Sequence, residues 1–180
     1  MKAFLTKNHW IETLELQPHP EGGYYKETFR SNSVVIIPSK SNKPYNTATA
    51  IYFLLGSASK GDFSAWHRLN DLEETWYYNY GDDLSIYWID TTGNLITHKL
   101  GIGPGASLQV HIPANVWFAA AVANKNPEAY CLVSCMVYPG FDFADFQLGD
   151  RSELIAEYPQ HKEIIEILTR TGQQGANDEI

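Results

Sequence analysis

Hydrophobic and polar positions alternate in short runs between Thr47 and Gly140. The runs are rich in β-branched and aromatic residues, and Gly, Pro, Asn or Asp occupies most of the gaps between them. Thr91–Asn94 has the composition of a hairpin turn between two alternating runs. No helical spacing occurs within this region, so the pattern predicts about eight strands in a sandwich, barrel or jelly roll. The predicted strands are TATAIYFLLG, DFSAWHRL, ETWYYNYG, LSIYWID, LITHKLG, SLQVHIPA, VWFAAAVA and AYCLVSCMVYPG.

The two ends of the chain have a different pattern. Apolar residues at helical spacing predict a short amphipathic helix over residues 7–16, which ends before Pro18. Residues 24–31 alternate as a strand does, and a second apolar stretch follows at 34–38. A C-terminal helix is predicted to start near Pro159.

The other segments are polar. Residues 39–46 are predicted to form an exposed loop, and residues 171–180 a disordered tail. With 180 residues, of which 44% are hydrophobic, the chain is long enough to bury a core. We therefore expect residues 1–170 to form a single domain.

Composition argues against several classes of protein. The 13 Lys and Arg residues and 21 Asp and Glu residues give a net charge of −8, and no basic block exceeds two residues. These features argue against a nucleic-acid partner or an anionic membrane surface. No apolar run approaches the ~20 residues of a membrane span. The first ten residues lack the apolar core of a signal peptide, so we expect a cytoplasmic protein.

Two cysteines, Cys131 and Cys135, lie four residues apart in one apolar run. A strand places them on one face of a single element, more than ~12 Å apart, which is too far for a disulfide. We expect both to be buried free thiols.

Ionisable and aromatic residues are concentrated between Gly61 and Gly81. The stretch holds His67, an arginine, the acidic cluster Asp71, Glu73 and Glu74, and four aromatic residues between Glu74 and Tyr80. Such a mixture is more typical of a concave, partly dry pocket than of a solvated face. We therefore place the candidate site here.

The spacing of Gly61, His67, Glu74 and Gly81 is similar to the first motif of cupins, in which a second histidine stands at the position of Leu69. The wider chain resembles the Cupin_5 (DUF985) family, whose members have been labelled predicted cupin-type sugar epimerases. The resemblance implies an all-β fold, the cupin double-stranded β-helix or jelly roll, with a short N-terminal helix and a C-terminal helix. It also implies a homodimer that exchanges N-terminal elements. The resembling segments are HPEGGYYKETFRS at 19–31, TAIYFLL at 49–55, WHR at 66–68, EETWYYNYG at 73–81, QVHIPANVWFAA at 109–120 and VYPGFDFADFQLGDRSEL at 137–154.

The resemblance bears on metal binding. Cupin metals generally take three histidines and a glutamate, whereas this chain has Leu69 and Phe118 at two of the histidine positions. His67 and Glu74 remain, fewer than the three protein ligands typical of a mononuclear catalytic site. His111 is the alternative third ligand, with packing as its more common role. We expect no cofactor and no metal, and a metal-dependent cupin enzyme stays as the second alternative.

By resemblance to cupin epimerases, the expected reaction is metal-independent proton transfer on a sugar or a nucleotide-sugar-like substrate. His67 is the candidate general base and Glu74 its orienting carboxylate, on neighbouring strands that point into the barrel. Tyr78, which shares the strand parity of Glu74, or Tyr138 is the candidate acid. The alternative is a non-catalytic protein that binds a small molecule on the same scaffold.

Several further residues are candidates for ligand binding. Arg30 and Arg68 can hold an anionic group, because a guanidinium matches phosphate or carboxylate, with surface ion pairs as the alternative. Gln109 is a candidate on the predicted inner face of its strand. The aromatic candidates, whose alternative role is core packing, are Trp76, Trp117, Phe141 and Phe143. The expected partner is therefore a sugar-like or anionic small molecule.

Overall fold

The structure is a computed structural model that describes residues 5–37, 43–58, 61–124 and 126–170. Short strands make up most of these residues. In chain order they are β1 (Gln17–Pro18), β2 (Tyr24–Arg30), β3 (Val34–Ile36), β4 (Pro44–Asn46), β5 (Thr49–Gly56), β6 (Ser64–Leu69), β7 (Glu73–Gly81), β8 (Leu84–Ile89), β9 (Leu95–Leu100), β10 (Gln109–Ile112), β11 (Trp117–Val122), β12 (Tyr130–Tyr138) and β13 (Phe146–Leu148).

Two sheets of antiparallel strands form the body of the protein. The six-stranded sheet has the order β1-β2-β5-β12-β7-β10, and the five-stranded sheet has the order β13-β6-β11-β8-β9. The strands β3 and β4 form a separate ribbon. From β5 to β8 each strand joins the sheet opposite to that of the strand before it. This alternation between two sheets is typical of a jelly roll. The predicted fold class is confirmed.

The inner faces of the two sheets meet in one apolar core. On β7 the alternation places Trp76 inward, where its ring meets Phe53 of β5 edge to face at 5.6 Å. Phe118 of β11 enters the same core from the opposite sheet. This packing forms because period-2 alternation turns one apolar set of side chains from each sheet toward the other.

Three helices cover the outer faces of the sheets: α1 (Lys7–Leu14), α2 (Arg151–Glu157) and α3 (Lys162–Ile167). α1 packs its apolar side against residues of β5 and β12. α2 and α3 pack on the outer face of the five-stranded sheet. As a result Trp66 and Trp117 are buried beneath these helices and not inside the barrel.

The structure confirms the predicted elements, with additions. All eight strands predicted after Thr47 are present as β5 to β12. The C-terminal region holds two helices, one more than predicted, because Pro159 lacks an N–H and Tyr158 before it adopts a non-helical backbone with φ −128° and ψ 64°. In the predicted loop at 39–46, residues 44–46 form β4 and Lys43 precedes it, whereas residues 39–42, like the predicted tail at 171–180, lie outside the described residues.

Cys131 and Cys135 are buried and free on β12, as predicted. Among the helices of the described ranges, none has the length and apolar character that crossing a membrane requires.

Candidate functional site

A cavity of about 330 Å³ opens between the two sheets. Its wall combines aromatic side chains with a group of ionisable ones that includes His67 and Glu74. His67 comes from β6 in the five-stranded sheet and Glu74 from β7 in the six-stranded sheet. The prediction that they occupy neighbouring strands is wrong, because consecutive strands of this jelly roll enter opposite sheets. The two side chains instead reach the cavity from opposite sides.

The carboxyl group in contact with His67 belongs to Glu21, in the loop between β1 and β2. Glu21 Oε2 lies 3.1 Å from His67 Nε2, and the Ser64 hydroxyl donates to Glu21 Oε1 over 2.9 Å. Glu21 and His67 are 5% and 2% exposed. Glu21 therefore takes the orienting position that was predicted for Glu74.

Glu21 and His67 share one proton. Nδ1 of His67 lies 2.7 Å from the carbonyl oxygen of Ala65, which only accepts, so Nδ1 carries a hydrogen. Burial lowers the pKa of His67 to about 3. Burial, followed by the nearby charge of Glu74, raises the pKa of Glu21 well above its ordinary value. The favoured state is a neutral pair in which protonated Glu21 donates to Nε2, and it leaves His67 with no free nitrogen.

Glu74 is a second buried carboxyl group, with 7% exposure. Burial raises its pKa from the ordinary 4.5 to about 7, although the Trp76 indole N–H and the Cys135 thiol favour the ionised form. A carboxyl group with this pKa gains and loses a proton readily near pH 7. Two carboxyl groups in different protonation states at one site is the arrangement of many acid–base enzymes.

His19 brings a hydrogen-bond donor to the cavity wall. The backbone N–H of Glu21 donates to His19 Nδ1 over 3.3 Å, so the hydrogen of the neutral ring resides on Nε2. Burial lowers the pKa of His19 to about 4, which keeps the ring neutral at pH 7. Across the described ranges of the chain, no hydrogen bond engages this Nε2. The group is thus available to a ligand oxygen.

Arg30 lies at the mouth of the cavity, and all of its donors are used. Its Nε and one terminal nitrogen donate to the Glu27 carboxylate over 2.9 and 2.7 Å. The remaining hydrogens reach the Asn46 amide oxygen and the Phe141 carbonyl oxygen. A guanidinium has five N–H groups, so this set leaves none over.

The glycine pair after Glu21 fixes the loop that carries this carboxyl group. Gly22 has φ +115°, and a Cβ there would lie 1.7 Å from an Arg170 guanidinium nitrogen and 2.2 Å from the Phe63 carbonyl oxygen. Arg170 in turn donates to the carbonyl oxygens of Glu21, Gly61 and Phe63. The loop therefore needs glycine at this position.

We expect Gly22→Ala to lower the free energy of unfolding by about 3 kcal/mol, because it adds backbone strain and displaces Arg170. Gly105→Ala is the matched control: Gly105 also has positive φ, +74°, but nothing lies within 4 Å of its added Cβ. That control should cost only about 1 kcal/mol. Urea unfolding of both variants measures the difference, and equal losses would show that the contacts of Gly22 do not matter.

The family model for Cupin_5, described as Cupin superfamily (DUF985), matches residues 8–149. The chain belongs to the Cupin_5 family. Similar solved structures include a protein from Shewanella oneidensis, with 37% identity, coverage of 93% of this chain and 99% of that one, and a TM-score of 0.81. A hypothetical protein from Leishmania major has 34% identity, coverage of 92% and 99%, and a TM-score of 0.83.

More distant likenesses concern the fold of this Cupin_5 protein alone. A cupin 2 domain-containing protein from Halorhodospira halophila has 14% identity, coverage of 87% and 89%, and a TM-score of 0.52. No curated protein matches the chain significantly.

The donor set of this Cupin_5 protein does not fit a cupin metal centre. Leu69 lines the cavity where the second histidine of the motif would stand. Phe118 packs its ring 3.9 Å from that of His67, at the position of a further histidine. Within the described residues no three His, Cys, Asp or Glu side chains are placed to hold one ion. The expectation that the protein works without a metal stays a prediction.

Five of the predicted site residues line the cavity, and six do not: Tyr78, Tyr138, Arg68, Trp76, Gln109 and Trp117. Tyr78 donates to the Gly81 carbonyl oxygen over 2.7 Å. Tyr138 contacts Thr75 Oγ1 and His111 Nδ1, each at 3.1 Å. The tyrosine that does line the cavity is Tyr25.

The other residues outside the cavity have packing or surface environments. Arg68 lies over the Trp117 ring at 4.6 Å, beneath the C-terminal helices. Gln109 is exposed because Val110 and Ile112 take the inward positions of β10. The prediction that Gln109 lies on the inner face is therefore wrong. The residues of β10 that turn inward are the apolar ones, as burial of apolar surface requires.

Sequence patterns do not single out Glu21 and His19, which the structure brings to His67. Both lie in the segment PHPEGG, which has no periodicity, and its glycine pair indicates only a turn. The available signal was a histidine and a glutamate two residues apart, followed by that turn, inside a segment that resembles the family. Arg30, Phe141 and Phe143, which were predicted, reach the cavity beside them.

Proposed function

We propose that this protein is a small-molecule isomerase or epimerase that moves a proton at a carbon next to a carbonyl group, without a metal. The observation that carries the proposal is a pair of buried carboxyl groups on one cavity, both with pKa values raised by burial and, for Glu21, also by the charge of Glu74. Glu74 has a pKa of about 7, and the pKa of Glu21 is raised well above its ordinary value beside His67. Separated protonation states of this kind assign the base and the acid.

In this proposal Glu74 is the general base. The ionised carboxylate takes a proton from the carbon, the C–H bond breaks, and its electron pair forms an enolate. The Nε2–H of His19 stabilises the developing charge on the carbonyl oxygen, since a neutral imidazole can donate at this position. Glu74 then returns the proton to the neighbouring carbon, or the Glu21–His67 pair gives a proton to the opposite face of the enolate. In the second case Glu74 releases its proton to solvent and the pair takes one up from solvent, so that both regain their starting states.

His67 has a positioning role in this scheme. Its nitrogens are occupied by Ala65 and Glu21, so it holds the Glu21 proton in place and does not reach a substrate. This reassigns the base role from His67 to Glu74. The reassignment follows from geometry, because a general base must have a lone pair within hydrogen-bonding reach of the proton that it removes.

Proton exchange with solvent tests the proposal. The protein is incubated in D2O with a panel of aldoses and ketoses, and NMR follows the loss of the C–H signal next to the carbonyl group. We expect at least one sugar to exchange, and Glu74→Gln to slow that exchange by at least about 100-fold. Glu73→Gln, on the neighbouring half-exposed carboxylate, is the matched control and should exchange normally. If no sugar exchanges faster with the native protein than with Glu74→Gln, the proposal is rejected.

The second candidate is a non-catalytic binding protein. The observation that favours it is that both candidate tyrosine acids, Tyr78 and Tyr138, lie away from the cavity. For this alternative, a sugar that binds in calorimetry is recovered from D2O without any deuterium on carbon.

A further inference from the structure

Carboxyl groups outnumber lysine and arginine side chains on the cavity wall. Glu21, Glu27, Glu74 and Asp142 contribute carboxyl groups, and Arg30 is the single lysine or arginine among the described lining residues. An anionic ligand would need a cation with free donors. The state of Arg30 therefore decides which ligand charge the site accepts.

Arg30 is already saturated by the protein. It holds the Glu27 carboxylate through two parallel hydrogen bonds and uses its other donors on Asn46 and Phe141. To bind a phosphate it would have to release a carboxylate that matches its geometry equally well. The other acid at the mouth, Asp142, is paired with Lys43 at 2.5 Å, and Lys43 itself is not among the residues that line the cavity.

Deeper in the cavity an anion would meet Glu74. That carboxyl group is buried, and a second negative charge nearby is costly where water does not screen it. The same contact would push Glu74 toward its protonated form and remove the proposed base. The interior thus disfavours phosphate and carboxylate groups on physical grounds.

The remaining surface suits a small ligand with hydroxyl groups. The cavity of about 330 Å³ is at the low end of the ~300–1,000 Å³ of ligand pockets. Phe53, Phe141 and Phe146 offer apolar ring surface, while Gln17 and the His19 Nε2–H offer hydrogen bonds. One face of a sugar ring is apolar and its rim is polar, so it complements such a wall.

We infer that the site takes an unphosphorylated, monosaccharide-sized carbonyl compound and rejects its phosphorylated or nucleotide-linked forms. The inference rests on the proposed function for its site, but it concerns ligand charge and size and not the reaction. Of the sugar-like or anionic ligand that the sequence led us to expect, it keeps the sugar-like one and rejects the anionic one.

The experiment compares free hexoses with their 6-phosphates by saturation-transfer NMR on the full chain. At least one free hexose should bind, and its 6-phosphate should bind at least about tenfold more weakly. Glu27→Ala, which releases the donors of Arg30, should strengthen binding of that 6-phosphate by about tenfold. The matched control is Glu15→Ala, which removes the same charge from an exposed ion pair with Lys26 and should leave the preference unchanged.

Two results would overturn the inference: a 6-phosphate that binds the native protein as tightly as its free hexose, or no binding by any free hexose. The results also distinguish failure of this inference from failure of the proposed function. A free hexose that binds but exchanges no proton in D2O rejects the reaction and keeps the ligand class. A phosphorylated sugar that binds as tightly as the free hexose and exchanges its proton supports the reaction and rejects the ligand class.

Discussion

The free energy of unfolding of Glu74→Gln, relative to that of the native protein, should increase as the pH rises. The folded-state pKa of Glu74 is about 7, above the ordinary value of 4.5. The folded state therefore holds this proton more tightly than the unfolded chain does. The stabilisation from Glu74 is fully present below pH 4.5, is lost as the pH rises to about 7, and stays lost above it.

The size of this effect follows from the shift. At about 1.4 kcal/mol per pKa unit, the stability difference between Glu74→Gln and the native protein should grow by about 3 kcal/mol from about pH 4 to about pH 8. Urea unfolding at a series of pH values measures it. Glu73→Gln is the control, since its carboxylate is half-exposed on the other face of β7, and its difference should change little. A flat difference for Glu74→Gln would show that burial does not hold this carboxyl group protonated.

The fold was predictable because each strand carries its own signal. The runs that became β8 and β9 alternate clearly, and Asp90 closes the turn between them by accepting from the N–H groups of Thr92 and Asn94. What one strand cannot specify is the sheet that it joins. His67 and Glu74 lie only seven residues apart, and their assignment to opposite sheets depends on the packing of the whole barrel.

The location of the candidate site was predictable, but the hydrogen-bond partners of its residues were not. The stretch from Gly61 to Gly81 does reach the cavity, since it supplies His67, Leu69 and Glu74. The partner of His67 is Glu21, which lies in the loop between β1 and β2. The same carboxyl group accepts from Ser64 of β6, 43 residues later in the chain. Loop residues have no periodicity, and one of the hydrogen bonds that hold this loop comes from Arg170, near the other end of the chain. Such contacts arise from tertiary packing and leave no local pattern.

Two substitutions of Glu21 should differ strongly, because the Glu21–His67 pair is neutral. In Glu21→Gln the amide oxygen accepts from Ser64 and the amide N–H donates to His67 Nε2, just as the protonated carboxyl group does. Its unfolding free energy at about pH 7 should stay within about 1 kcal/mol of the native value. Glu21→Ala leaves the Ser64 hydroxyl and His67 Nε2 buried without this partner, which should cost about 3 kcal/mol.

The comparison separates a neutral pair from an ionic one. If His67 were an imidazolium bound to a carboxylate, Gln would leave a buried charge unpaired and would be as damaging as Ala. Urea unfolding of the two variants at one pH gives the answer, with Glu27→Gln, at the half-exposed mouth of the cavity, as the control for removal of a carboxylate. Equal losses for Gln and Ala would assign the charge to His67. A small loss for Gln alone would support the neutral pair, in which protonated Glu21 donates to His67 Nε2.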